Sequence, residues 1–156
     1  MIPRAKLILL DTNVVIELAR DKASGKAIAA TLDLAGRPER PLTSVVSLGE
    51  ALALAEQWSW GDEKSGRLRE LFRELVVVDL SFGKTPERYG RIAAYSRANG
   101  LGIGENDRWI AATAAEAEAH LVTTDQDFGP LDPTFISHTL ISWADPGQPS
   151  DKTTTL

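Results

Sequence analysis

Leu7 to Leu10 are four consecutive aliphatic residues, and the chain places Asp11 directly after them. A run with no polar alternation leaves no face for water, so Lys6 to Leu10 reads as a strand covered on both sides. Thr12 to Arg20 and Lys26 to Leu34 have helical patterns, with Ser24 as a cap, and Gly36 to Pro41 is rich in turn formers. A short strand at Leu42 to Ser44 leads into a helix over Val45 to Trp58, and Glu63 to Glu74 supports another. Leu75 to Leu80 reads as a central strand. Thr85, Pro86 and Glu87 combine a capping hydroxyl, a proline suited to the first turn and an acid suited to the positive end of the dipole, so a helix is expected to about Ala98. Asn99 to Gly104 holds three glycines and is a loop. Asn106 is placed to cap an alanine-rich helix from Asp107 to about Ala119. His120 to Thr124 reads as a strand, Asp125 to Pro133 as a turn-rich loop, and Thr139 to Trp143 as the last strand.

Strands alternating with helices, and apolar on both faces, specify an α/β class: a three-layer α/β/α sandwich with a central parallel sheet. Residues 1–144 are expected to form one domain, followed by a polar tail over residues 145–156. In open sheets of this kind ligands bind beyond the carboxyl ends of the strands. The residues just after each strand are therefore the ones to inspect.

Composition narrows the chemistry. The 156 residues include no cysteine, which removes disulfides, thiol nucleophiles and thiolate metal sites together. The two histidines, His120 and His138, are too few for a histidine-rich centre, so any metal must be held by oxygen. A net charge of −5 lacks the basic excess of a passive nucleic-acid coat protein. Nucleic acid stays open as a substrate, because a cation bound to carboxylates reverses the local sign of the field. The longest apolar runs are far short of the ~20 residues that cross a bilayer, and Asp11 interrupts the only candidate for a secretory signal core. No membrane association and a cytoplasmic location are expected.

Asp11 follows the first strand and Asp125 the one before the turn-rich loop, so two acids share one sheet edge. Taken singly, each also suits a turn or cap. Glu50 has Val46, Ala53 and Leu54 as its neighbours at helical spacing, and an ionised carboxylate on such an apolar face calls for a cation or a donor. Asp107 opens its helix, where dipole complementarity is the alternative explanation. Asp127 stands two residues beyond Asp125 as a further ligand or a turn residue, and Thr12 either orients Asp11 or caps the following helix. Asn13 and Asn106 are candidates for amide hydrogen bonds to the acids, with capping or exposure as the simpler account.

These pieces, LLDTNVVIEL from Leu9, SLGEAL from Ser47, ENDRWIAATA from Glu105 and LVTTDQDF from Leu121, resemble the PIN-domain nucleases, and within them the VapC-type toxins of bacterial toxin–antitoxin pairs. They run in the family's order from Leu7 to Phe128 and leave the tail uncovered. The resemblance implies an acidic quartet at Asp11, Glu50, Asp107 and Asp125, with Asp127 a supplementary acid and Thr12 a polar helper. It implies a metal-dependent endoribonuclease that uses Mg²⁺ or Mn²⁺, leaves a 5′ phosphate and a 3′ hydroxyl, and is neutralised by a cognate antitoxin protein, with a homodimer as a further expectation. The chemistry agrees, since crowded carboxylates repel unless a cation neutralises them, and oxygen donors select hard divalent ions.

Substrate contact needs positive charge outside the acids. Arg88, Arg91 and Tyr95 share one helix face, basic and ending in an aromatic, although a solvated face is the ordinary explanation. Arg108 adjoins Asp107 as a phosphate contact or a salt-bridge partner. Trp58 and Trp60 end the Glu50 helix, where core burial is the default and a dimer or antitoxin surface the alternative. Two competing functions stand beside the nuclease. One is a catalytically silent module that keeps the fold to bind RNA or protein. The other is a haloacid-dehalogenase-like phosphatase, disfavoured because Asn13 stands two residues beyond Asp11 where that chemistry needs an acid.

Overall fold

A computed structural model of the chain describes residues 2–20 and 22–142. Five strands, β1 (Ile8–Leu10), β2 (Leu42–Ser44), β3 (Val76–Val78), β4 (His120–Thr123) and β5 (His138–Leu140), run parallel in the spatial order β3-β2-β1-β4-β5. Helices α1 (Thr12–Ala19) and α2 (Ala23–Thr31) join β1 to β2, and α3 (Val45–Gln57) and α4 (Asp62–Glu74) join β2 to β3. Helices α5 (Thr85–Ala98) and α6 (Glu105–Glu116) join β3 to β4.

β1 explains why its sequence has no polar face. Ile8 and Leu10 pack with Val14, Val15, Leu68 and Phe72 on the side of α1 to α4, whereas Leu9 packs with Ile92, Ile110 and Leu121 on the side of α5 and α6. The expected three-layer sandwich with its parallel sheet is what this period-two partition produces. The chain builds outward from β1 through β2 to β3, then crosses back to set β4 on the other side of β1. Strand order therefore reverses between β1 and β4, where the segments leaving the carboxyl ends diverge and open a crevice.

Several local expectations are corrected. The segment read as a central strand, Leu75 to Leu80, yields only β3, which lies at the sheet's edge with Val76 and Val77 half-buried. An apolar run reports coverage of the faces, not the number of neighbouring strands. Lys6 stays outside β1 and donates through Nζ to the Glu118 carbonyl at 3.0 Å. Ser24 does not cap α2, which begins at Ala23; its hydroxyl donates to Glu17 Oε2 at 2.9 Å. Beside it a Cβ on Gly25 would fall 2.5 Å from the Glu17 carbonyl oxygen, so only a hydrogen lets α1 and α2 approach this closely. Thr85 is the first residue of α5 and donates to the Phe82 carbonyl at 2.6 Å, leaving Lys84 at the cap. α6 starts at Glu105 with Gly104 at the cap, which puts Asn106 in the first turn, exposed. The last strand ends at Leu140; Trp143 and the tail from Asp145 lie outside the described residues. Among the described residues no helix is long and apolar enough to cross a membrane.

Candidate functional site

The crevice between β1 and β4 opens on Asp11. This residue ends β1 and caps α1, with Oδ1 accepting the Thr12 N–H at 2.8 Å. Its own N–H donates to the Val122 carbonyl at 3.0 Å, and Oδ2 accepts the Thr123 hydroxyl at 2.6 Å. With 5% of its surface exposed, Asp11 is held above the usual carboxylate range. Burial is the main cause, opposed by the Thr123 and Thr12 hydrogen bonds and reinforced by the charges of Glu50 and Asp125.

Thr123 couples two acids. While its hydroxyl donates to Asp11, the same oxygen accepts the Asp125 N–H at 3.0 Å. Asp125 then caps a 3₁₀ turn over Gln126–Leu131 by accepting the Asp127 N–H at 2.8 Å, which fixes the spacing of Asp125 and Asp127. From the other side of β1, α3 brings in Glu50. Thr12 Oγ1 lies 2.9 Å from Glu50 Oε1 and 2.9 Å from Ser47 Oγ. A hydroxyl has one proton and a carboxylate only accepts, so Thr12 donates to Glu50 and receives from Ser47. Thr12 therefore does not cap α1, a role Asp11 takes, and it meets Asp11 only through its N–H, while its hydroxyl orients a second acid, Glu50.

α6 contributes Asp107 from its first turn, half-buried and facing the same crevice electrostatically. Burial raises its carboxyl to about 7, and the charges of Asp11, Asp125, Glu50 and Asp127 push in the same direction. Oxygens of Asp107, Asp125 and Asp127 lie within 4.8 Å of one another. The fold therefore brings five carboxylates from four elements close enough for their charges to act on Asp107, three of them, Asp107, Asp125 and Asp127, within reach of one ion, with no cationic side chain among the causes that shift Asp107. Hard oxygen donors at such spacing suit a divalent cation, whose charge would reverse the unfavourable field they create.

The remaining candidates are arranged differently. Asn13 and Asn106 are exposed, and among the described residues neither makes a side-chain hydrogen bond. Arg88 forms an ion pair with Glu116 of α6, and Tyr95 packs edge-on against Phe135 at 5.2 Å, so the basic, aromatic face expected on α5 keeps Arg91 exposed but not Tyr95 free to stack. Arg108 donates through Nε to the Ile103 carbonyl at 3.0 Å. Trp60 packs against the α1–α4 side of the core, whereas Trp58 is 47% exposed with the Arg20 guanidinium 5.0 Å over its ring, against the default of burial for both. Thr123 and Ser47 were not singled out by sequence. The signal was present: Thr123 is a polar residue ending an apolar strand two positions before Asp125, and Ser47 precedes Glu50 by one near-turn of helix.

The chain is 32% identical over 117 residues to ribonuclease VapC1 of Haemophilus influenzae, spanning 75% of this chain and 85% of that protein. It is 31% identical over 125 residues to ribonuclease VapC5 of Mycobacterium tuberculosis, spanning 80% and 87%. Its fold is similar to that in the crystal structure of VapBC2 from Rickettsia felis bound to a promoter DNA fragment, with a TM-score of 0.72 at 21% identity over 86% of this chain and 98% of that one. FitAcB from Neisseria gonorrhoeae superposes with a TM-score of 0.67 at 25% identity over 85% and 96%. Residues 8–132, which carry all five acids, match the PIN domain, and the chain belongs to the PIN-domain family.

Proposed function

We propose that this chain is an endoribonuclease toxin of the VapC type, cleaving RNA phosphodiester bonds at the five-acid crevice with Mg²⁺ or Mn²⁺ and restrained by a cognate antitoxin protein. The observation that carries the reading is the convergence of Asp11, Glu50, Asp107 and Asp125, with Asp127 beside them, at the point where strand order reverses. Relatives named ribonucleases support the activity, and neighbours of similar fold described as toxin–antitoxin complexes support the partner.

The donor set fits a hard divalent ion: every candidate ligand is a carboxylate, and three of them approach within 4.8 Å. Asp107, Asp125 and Asp127 would hold it, with the charges of Asp11 and Glu50 beside them adding to the attraction. When bound, such an ion acidifies a water and neutralises charge developing on phosphate oxygens. The chain's own part is to orient. Thr123 fixes the Asp11 oxygen that faces β4, Thr12 and Ser47 fix Glu50, and the Asp127 N–H fixes Asp125. Since no side chain here is a thiol and none of the five is paired with a base, water is the expected nucleophile.

The test is incubation of the purified, antitoxin-free chain with total cellular RNA in Mg²⁺ or Mn²⁺, with the 5′ ends mapped and chelator as control. Discrete metal-dependent ends are expected. Absence of cleavage together with absence of Mn²⁺ binding would replace the nuclease by a silent module on the same fold.

A further inference from the structure

The five acids can hold a cation, but nothing among them attracts a polyanion, and the chain as a whole carries a net charge of −5. Positive charge must stand near the crevice if RNA is to reach it. It does so on the α5–α6 face of the sheet. A groove of about 590 Å³ lies between α5, the loop that enters α6 and α6 itself, lined by Ala93, Ala94, Ser96, Leu101, Arg97 and Arg108. Both arginines lack a carboxylate partner within salt-bridge distance among the described residues. Arg108 is held by its Nε on the Ile103 carbonyl, which leaves the two terminal nitrogens of its fork free, and Arg97 is exposed with no side-chain hydrogen bond among the described residues. Acidic residues are missing from the lining.

We propose that this groove binds the phosphate backbone of the RNA strand, with Arg97 and Arg108 gripping a phosphate that flanks the bond to be cut. The inference rests on the nuclease reading and names the subsite that reading lacks. Arg108 is the residue after Asp107, so the anchored end of its side chain is tied to the same helical turn as the acid raised to about 7. A planar guanidinium anchored at one nitrogen, as in Arg108, presents the other two as a fork matched to phosphate oxygens, and the small Ala93 and Ala94 side chains of the lining leave room for a backbone beside it and Arg97. The same turn exposes the N-terminal amides of α6, whose dipole adds to the attraction. An acidic protein segment is the rival occupant; RNA is favoured because Arg108, which lines the groove, directly follows Asp107 in α6, so groove and acid share one helical turn.

Binding is measured by fluorescence anisotropy with a labelled single-stranded RNA of mixed sequence, in Mn²⁺, on an Asp107→Asn background that prevents cleavage. Arg97→Gln keeps the fold secure because that side chain makes no internal bond, and the Arg97→Gln, Arg108→Gln pair removes the full grip. Arg69→Gln, on α4 across the sheet, is the control. Arg97→Gln is expected to weaken binding roughly tenfold and to flatten the plot of log affinity against log salt by about 0.7, with the pair losing about twice that slope and the control unchanged. In the cleaving parent the same changes should raise KM while kcat stays within about twofold. Unaltered affinity and slope in the pair, with cleavage by the parent intact, overturns the groove alone. A parent that neither binds nor cleaves RNA overturns both readings. Unchanged RNA binding with loss of an oligoglutamate peptide would assign the groove to an acidic protein instead.

Discussion

Replacing Asp107 with asparagine should stabilise the cation-free protein at pH 8, although it removes a residue of the proposed site. The folded carboxyl is raised from 3.8 to about 7 by burial and by four neighbouring acids. A group with a raised folded pKa keeps its proton more tightly in the folded state, so its contribution is fully favourable below about pH 4 and is lost as pH rises through 7. A shift of about three units corresponds to about 4 kcal/mol for a fully desolvated group. Asp107 is half-buried, and solvent screening reduces the penalty at pH 8 to about 1–2 kcal/mol. Asparagine has no proton to lose and escapes it. Urea unfolding followed by tryptophan fluorescence in EDTA, from pH 4 to pH 8, should show variant and parent nearly equal at the acid end and the variant ahead at the alkaline end. Excess Mn²⁺ should invert the order, since a ligand at a hundredfold its Kd stabilises the parent by about 2.7 kcal/mol and the variant binds it poorly. A difference between the two proteins that is independent of pH would refute the electrostatic account of the crevice.

Three further outcomes follow from the same geometry. Thr123→Val keeps shape but leaves an oxygen of Asp11 and the Asp125 N–H without their shared partner, so urea unfolding should show a loss of about 1–3 kcal/mol together with weaker Mn²⁺ binding. Ile110→Ala opens a cavity where α6 meets the sheet; with Ile110 fully buried, a loss of about 2–5 kcal/mol is expected by the same assay, and a value under about 1 kcal/mol would contradict the packing. Because Asp107 must be ionised to bind a cation, calorimetric Mn²⁺ affinity should fall roughly tenfold between pH 8 and pH 6 with proton release on binding, and a flat profile would exclude Asp107 from the ligand set.

The sequence carried the sheet and the acids for one physical reason. A strand buried on both faces must be apolar throughout, so the polar residue that ends it stands out, and in a parallel sheet every strand ends at the same edge. Asp11 and Asp125 were legible on that ground, and Glu50 because helical spacing put a charge among Val46, Ala53 and Leu54. Strand order was not legible: β3 and β1 have equally apolar runs, yet only β1 has a strand on each side of it, since pairing depends on the path of the crossovers. Arg88 looked free because its partner Glu116 lies 28 residues away on another helix, beyond any local pattern. Thr123 and Ser47 escaped because a hydroxyl is compatible with strand, helix and surface alike, and only its partners, on other strands and helices, disclose a buried bond. Ser24 and Asn106 were given to helix ends by residue type, while the ends themselves moved by one or two residues to positions set by backbone bonds.

The most direct measurement is the rate of cleavage of a labelled RNA against Mn²⁺ concentration for the parent and for Asp11→Asn, Glu50→Gln, Asp107→Asn and Asp125→Asn, each confirmed folded by its urea transition. The account predicts saturable metal dependence in the parent, abolished by EDTA, and a loss of at least about a hundredfold in every variant. Cleavage that persists in EDTA, or that survives intact in any one of these variants, would contradict it.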